Sequence, residues 1–186
     1  MHFIILASQS PRRKQLLEWA EVPFRVVAKE TDESFPAAMP PEEVPLFIAR
    51  KKAAVIRQLL GEGPVILAAD TVVVLDERII GKPRDREDAV SILTSLSGRQ
   101  HRVITGVVIT GHQKEVQFSE TTEVSFHPLS ASQVSYYIDT YKPYDKAGAY
   151  AIQEWIGVTG IRSINGDFYN VMGLPVSKVV QALHLF

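Results

Sequence analysis

Apolar residues in this chain fall into short continuous runs, and between them lie stretches that repeat at helical spacing, so helices alternate with strands. Phe3 to Ala7 reads as a buried first strand. Ser10-Pro11 opens a helix, with Ser as N-cap and Pro in the first turn, that runs through Leu16, Leu17 and Trp19. Phe24 to Ala28 reads as a second strand, and the polar, Pro-rich stretch Lys29 to Pro41 as a loop. Glu42 to Leu60 places Val44, Phe47, Ile48, Val55, Ile56, Leu59 and Leu60 near helical spacing, with Pro45 close to the start. Val65 to Leu75 is the most strand-like run, followed by a turn at Asp76-Glu77 and a short return strand, Arg78 to Ile80. Arg84 to Leu96 reads as a helix ending near Ser97-Gly98. Two long β runs, His101 to Thr110 and Glu115 to Phe126, flank a hairpin at Gly111-His112. Ser130 caps a helix to Asp139, Tyr141 to Asn165 is mixed and Gly-rich, and Gly173-Leu174-Pro175 leads into a final amphipathic helix ending at Phe186. The hairpins in the middle predict a mixed α/β sheet rather than a wholly parallel one.

Composition narrows the class. The 186 residues suit a single domain spanning 1–186, and 46% hydrophobic with 22% charged residues excludes a disordered chain. Lys+Arg 20 against Asp+Glu 21 leaves a net charge of -1, which excludes a broad basic surface for duplex nucleic acid but permits a local anion pocket. With no cysteine, thiolate metal sites, disulfides and a cysteine nucleophile are all excluded. The apolar stretch near the start is too short for a signal peptide or membrane span, and its arginines follow it. A cytoplasmic chain with no membrane partner is the expectation.

Candidate chemistry gathers where the pattern is broken. Ser8-Gln9-Ser10-Pro11-Arg12-Arg13 follows a strand and opens a helix, where free N–H groups and the positive dipole end can hold an anion. Arg12 and Arg13 oppose that dipole, a conflict that a phosphate would reverse and that solvent would merely screen. Asp70-Thr71 interrupts VILAADTVVVL, and a carboxylate there needs a partner, a metal or an exit to water. The acidic loop Glu30, Thr31, Asp32, Glu33 offers oxygen ligands of the kind Mg²⁺ takes, or is simply solvated. Lys51 and Lys52 sit mid-helix, and Lys82 is held between Gly81 and Pro83. In Tyr144 to Gln153, small residues beside aromatics point to close packing, and the Gln153 amide could read a base edge. P-loop, complete dinucleotide-binding, zinc-protease and nucleophile-elbow motifs are missing. The histidines His2, His101, His112, His127 and His184 lack ligand spacing, and none is given a catalytic duty.

Six stretches, in this order, resemble the Maf family of nucleoside triphosphate pyrophosphatases. They are Leu6 to Arg13, Ala68 to Val73, Gly81-Lys82-Pro83, Ser97 to Gly106, Asp145 to Gln153 and Ile164 to Pro175. The resemblance implies an elongated mixed sheet with flanking helices, two lobes around a central cleft, similar to inosine triphosphate pyrophosphatases. It implies hydrolysis of a nucleoside triphosphate to the monophosphate and pyrophosphate with a divalent cation, Mg²⁺ or Mn²⁺, and a homodimer. Asp70 matches the family's proton acceptor. Glu33, Lys52 and Lys82 match active-site residues, and Arg12, Thr71 and Gln153 match positions tied to selectivity. Asp70 and Glu33 become the metal candidates, and Ser8, Ser10, Arg12 and Arg13 the phosphate side. The Lys-Ala-Gly-Ala-Tyr-x-Ile-Gln and Ile-Asn-Gly stretches look like the branch acting on dTTP and UTP, in a house-cleaning role. The alternatives are the sister branch acting on 7-methyl-GTP, and a nucleotide-bound regulator of septum formation.

Overall fold

The computed structural model describes residues 3–186, so His2 lies outside the described residues. Among the described residues, seven strands build one mixed sheet: β1 (Ile4–Leu6), β2 (Phe24–Val26), β3 (Ile66–Leu75), β4 (Arg78–Ile80), β5 (Gln100–Gly111), β6 (Lys114–Phe126) and β7 (Ile161–Asn165). Their order is β2-β1-β3-β5-β6-β7, with β4 paired to β3. β1 runs parallel to β2 (Ile4 opposite Phe24) and to β3 (Ile5 opposite Ile66). The pairs β3–β4 and β6–β7 are antiparallel. The helices are α1 (Pro11–Trp19), α2 (Val44–Leu60), α3 (Arg86–Leu96), α4 (Ala131–Tyr141), α5 (Trp155–Gly160), α6 (Phe168–Met172) and α7 (Val176–Leu183). A 3-10 turn covers Ala147–Ala149. The mixed sheet flanked by helices agrees with the sequence pattern. Among the described residues no helix is long and apolar enough to cross a membrane.

One expectation needs correction in detail. The β5–β6 hairpin turns at His112-Gln113, both at positive φ (49° and 62°), and Gly111 is the last residue of β5. Gly111 is glycine for a packing reason: a Cβ there would lie 2.9 Å from the Val65 Cα. The turn chemistry is carried instead by two residues in the left-handed region, as a two-residue primed turn requires. Phe168–Met172, between the mixed stretch ending at Asn165 and Gly173, forms a short helix, α6.

The chain divides into two compact units. The first comprises Met1–Thr71, Thr105–Glu120 and Gly173–Phe186; the second comprises Val72–Ile104 and Thr121–Met172. In the first unit, Ile5, Ala7, Ala49, Ala53, Ile56, Ile66, Ala68 and Val108 pack into a core joining β1, β3, β5 and α2. Gly106 lets α2 lie directly on β5, since a Cβ there would meet the Leu46 backbone nitrogen at 2.2 Å. In the second unit, Val73, Val103 and Val124 form a core with Ile80, Ala147, Ile161 and Val171 around it. His101 is buried there, with Nε2 2.7 Å from the Tyr150 hydroxyl and its ring stacked on Phe126. That placement agrees with a structural role.

Candidate active site

β3 is buried along its length except at Asp70 and Thr71. The small Ala68 and Ala69 before them leave no exposed surface, so the carboxylate of Asp70 meets its partners under partial desolvation. Its side chain is 13% exposed and its Oδ1 accepts from Lys52 Nζ at 2.7 Å. The same ammonium lies 2.6 Å from Glu33 Oε1. Lys52 can reach inward because it shares the buried side of α2 with Ile48, Ala49, Ala53 and Ile56. A lysine on that stripe is the sequence signal for a partner in the core. Lys51, one step round the helix, pairs instead with Asp32 at 2.9 Å and with the Ser34 carbonyl. Asp32 also accepts from the Ser34 N–H and hydroxyl, so the acidic loop is tied to α2 by adjacent lysines. Burial pushes the Asp70 carboxyl above its usual range; Lys52 and Arg13 pull the other way without winning.

Arg13 takes a path the dipole argument does not anticipate. Its guanidinium turns inward and is 7% exposed. Nε donates to the Gly173 carbonyl at 2.7 Å, one terminal nitrogen to Ser8 Oγ at 3.2 Å and the other to Thr71 Oγ1 at 3.0 Å. Thr71 shares a further hydrogen bond of 2.9 Å with Thr105, which is fully buried. Arg13 therefore joins β3, the turn before α1 and the segment at Gly173. Burial works against its charge, and the field of Asp70 supports it. Gly173 holds a φ of 116°, a region that side chains rarely adopt, and so aims its carbonyl at Arg13. Thr105 and Gly173 are residues that sequence reasoning did not single out. Their signal was the positions themselves, within the Thr105-Gly106 and Gly173-Leu174-Pro175 stretches.

The turn before α1 is more occupied than an open anion nest. Ser10 N–H donates to Ser8 Oγ at 3.2 Å, and Arg13 N–H to the Ser10 hydroxyl at 3.5 Å. Arg12 is half-buried at the second position of the helix. Ser8, Ser10, Arg12, Arg13, Glu33, Lys52, Asp70 and Thr71 all belong to the first unit. Lys82 and Gln153 belong to the second unit, and both are exposed. Lys82 sits between buried Pro83 and Gly81, whose carbonyl accepts from Gly148 N–H at 3.1 Å.

Two carboxylate oxygens, from Asp70 and Glu33, converge on one cationic atom. That donor set suits a hard divalent cation completed by substrate phosphates. Among the described residues no cluster of three His, Cys, Asp or Glu side chains offers a fuller cage. The site therefore combines a destabilised carboxylate, a lysine that can stabilise negative charge, and an anchored arginine behind both.

Comparison with known proteins places this chain in a family. A protein of Cytophaga hutchinsonii named dTTP/UTP pyrophosphatase is 49% identical over 180 residues, covering 97% of this chain and 82% of that one. Its namesake in Bacteroides thetaiotaomicron is 47% identical over 177 residues, covering 95% and 92%. A third, from Parabacteroides distasonis, is 47% identical over 184 residues, covering 98% and 95%. One solved structure, a nucleoside-triphosphatase / dITP/XTP pyrophosphatase from Mycobacterium abscessus, superposes on 70% of this chain and 75% of that one, with a TM-score of 0.43 and 18% identity. The assignment rests on the sequence relatives and on the family described as Maf-like protein, whose pattern matches residues 3–186. With that match along the chain, and with nearly half its residues shared with each relative, this protein belongs to the Maf-like family.

Proposed function

We propose that this chain hydrolyses dTTP and UTP to the nucleoside monophosphate and pyrophosphate. The observation that carries the reading is the partly buried Asp70 carboxylate, raised in pKa and bound by Lys52 beside Glu33. A carboxylate whose pKa is raised is a stronger base, and so is suited to take a proton from water. Asp70 orients a water and takes its proton as the oxygen attacks the α-phosphorus. The bond from the α-phosphorus to the bridging oxygen then breaks, and pyrophosphate leaves. Lys52 supports the negative charge that develops on the phosphates, and Arg12 and Lys82 add further cationic charge. Arg13 contributes at one remove, holding Thr71 and the field around Asp70. Asp70 and Glu33 are the residues that would hold Mg²⁺ or Mn²⁺, which when bound would neutralise charge on the triphosphate and on the leaving pyrophosphate. Arg12, Thr71 and Gln153 are assigned to substrate selectivity, with the Gln153 amide reading the base edge. The names of the relatives support the choice of dTTP and UTP. A cytoplasmic location and a homodimer belong to the same reading.

The test is a nucleotide panel with Mg²⁺ or Mn²⁺, scored for both products. Monophosphate and pyrophosphate from dTTP and UTP are expected. Release of orthophosphate alone overturns the reaction, and preference for 7-methyl-GTP overturns the branch. Tight nucleotide binding without turnover would point to a regulator of septum formation instead.

A further inference from the structure

We propose that Tyr137, Glu154 and Lys146 form a positioning clamp for Gln153, and that this clamp sets nucleobase selectivity. The proposal rests on the reading of Gln153 as the residue that meets the base edge. Gln153 occupies the third position of a tight turn, in which Glu154 N–H donates to the Ala151 carbonyl at 3.2 Å. Ala151 and Ile152 are buried, while Gln153 is exposed. An exposed amide reads a base by paired hydrogen bonds only if its backbone is held to a fraction of an ångström. The structure provides that hold from one atom. The Tyr137 hydroxyl, on fully buried Tyr137, accepts from Ala151 N–H at 3.1 Å and donates to Glu154 Oε2. Both ends of the turn carrying Gln153 therefore meet at a single hydroxyl.

Lys146 sets the direction of Glu154. It is 8% exposed, and its ammonium lies 2.7 Å from Asp145 Oδ1 and 3.6 Å from Glu154 Oε1. A desolvated pair of this kind adds little stability over packed apolar side chains. What it adds is a fixed orientation for the carboxylate that Tyr137 grips. Two packing contacts brace the same turn. A Cβ at Gly157 would lie 1.7 Å from the Ile152 carbonyl oxygen, so only glycine lets α5 fold back on the turn. Trp155, the first residue of α5, packs edge-on against Tyr136 with ring centroids 4.9 Å apart. α4 thus holds the turn through two successive tyrosines.

The experiment compares Tyr137→Phe, Glu154→Gln, Lys146→Met and Gln153→Ala in the full chain. The readouts are kcat and KM for UTP and for a purine nucleoside triphosphate, with thermal melts alongside. Tyr137→Phe keeps the ring and removes only the hydroxyl. It is expected to lower the UTP-to-purine ratio of kcat/KM by on the order of tenfold, through KM, with kcat changed less than about threefold. Glu154→Gln keeps an acceptor for Tyr137 and is expected to fall between Tyr137→Phe and the wild type. A lower Tm with an unchanged substrate ratio in Tyr137→Phe and Lys146→Met would mean a purely structural network and overturn the clamp. If that occurs while Gln153→Ala does lose selectivity, the base reading stands without the clamp. If Gln153→Ala itself keeps the wild-type ratio, the base reading fails, and the clamp with it.

Discussion

Asp70 sets burial against charge, and its neighbours relieve the conflict only in part. Desolvation raises its pKa more than Lys52 and Arg13 lower it. A group whose folded pKa is raised favours the fold most below its unfolded pKa, and that contribution is lost as pH rises through the folded value. The ionised form of Asp70 is therefore a burden on stability, one that the proposed role as base accounts for. Asp70→Asn is expected to cut turnover by roughly a hundredfold or more while leaving Tm at pH 7 unchanged or higher; a clear fall in Tm would contradict the sign. Removing Lys52 takes away the leading influence that lowers the Asp70 pKa. Lys52→Met should then move the acid limb of the rate profile to higher pH and destabilise the fold by about 2 kcal/mol. A profile with its limb unmoved would separate Lys52 from the base. At this scale legibility followed desolvation. Asp70 was visible because a charge inside an apolar run must be answered, whereas Glu33, exposed in an acidic loop, carried no such mark until the resemblance named it. Arg13 was visible as a charge at the wrong end of a helix, but its inward turn to Gly173 spans residues far apart in sequence.

Among the elements, α2 carries Lys52, and its seat on β5 is set by Gly106. A methyl group there meets backbone, which cannot rotate away as a side chain would. Gly106→Ala is expected to cost about 3 kcal/mol in a urea melt and to lower kcat, because displacing α2 displaces Lys52. The turn at Ser10 makes a useful contrast. Its capping bond to Arg13 N–H is long at 3.5 Å, so Ser10→Ala should cost only about 0.5 kcal/mol in the same melt. Equal losses from the two variants would show that α2 is not seated by that close approach. The elements themselves were largely legible, because apolar periodicity and caps are local. The Asp76-Glu77 turn and the Ser130 cap are read from neighbours in sequence; the structure adds positive φ at both turn residues and a reciprocal bond from Gln133. The hairpin was displaced by one residue because Gly111 looks like turn chemistry, although its small size serves the contact with Val65.

For the molecule as a whole, acid stability is governed in part by a histidine outside the proposed chemistry. Burial lowers the His101 pKa from 6.5 to about 4, so the unfolded chain takes up a proton that the native state refuses. Its contribution is present above pH 6.5 and is lost as pH falls toward 4, amounting to roughly 3 kcal/mol. Urea melts from pH 7 to pH 4.5 should show this decline in the wild type and a shallower one in His101→Phe. Parallel declines would remove His101 from the account. The broader division between sequence and fold follows the same physics. Sequence alone determined the alternation of helix and strand, the mixed sheet, the exclusion of thiol chemistry and the ordered motifs of the family, because periodicity, composition and motif order are properties of the chain itself. Only the tertiary structure decided that Lys52 rather than Lys51 answers Asp70, that Arg13 is an internal brace, and that Tyr137 grips both ends of the Gln153 turn. Those outcomes depend on desolvation and on donor–acceptor distances between residues remote in sequence, and only folding sets them.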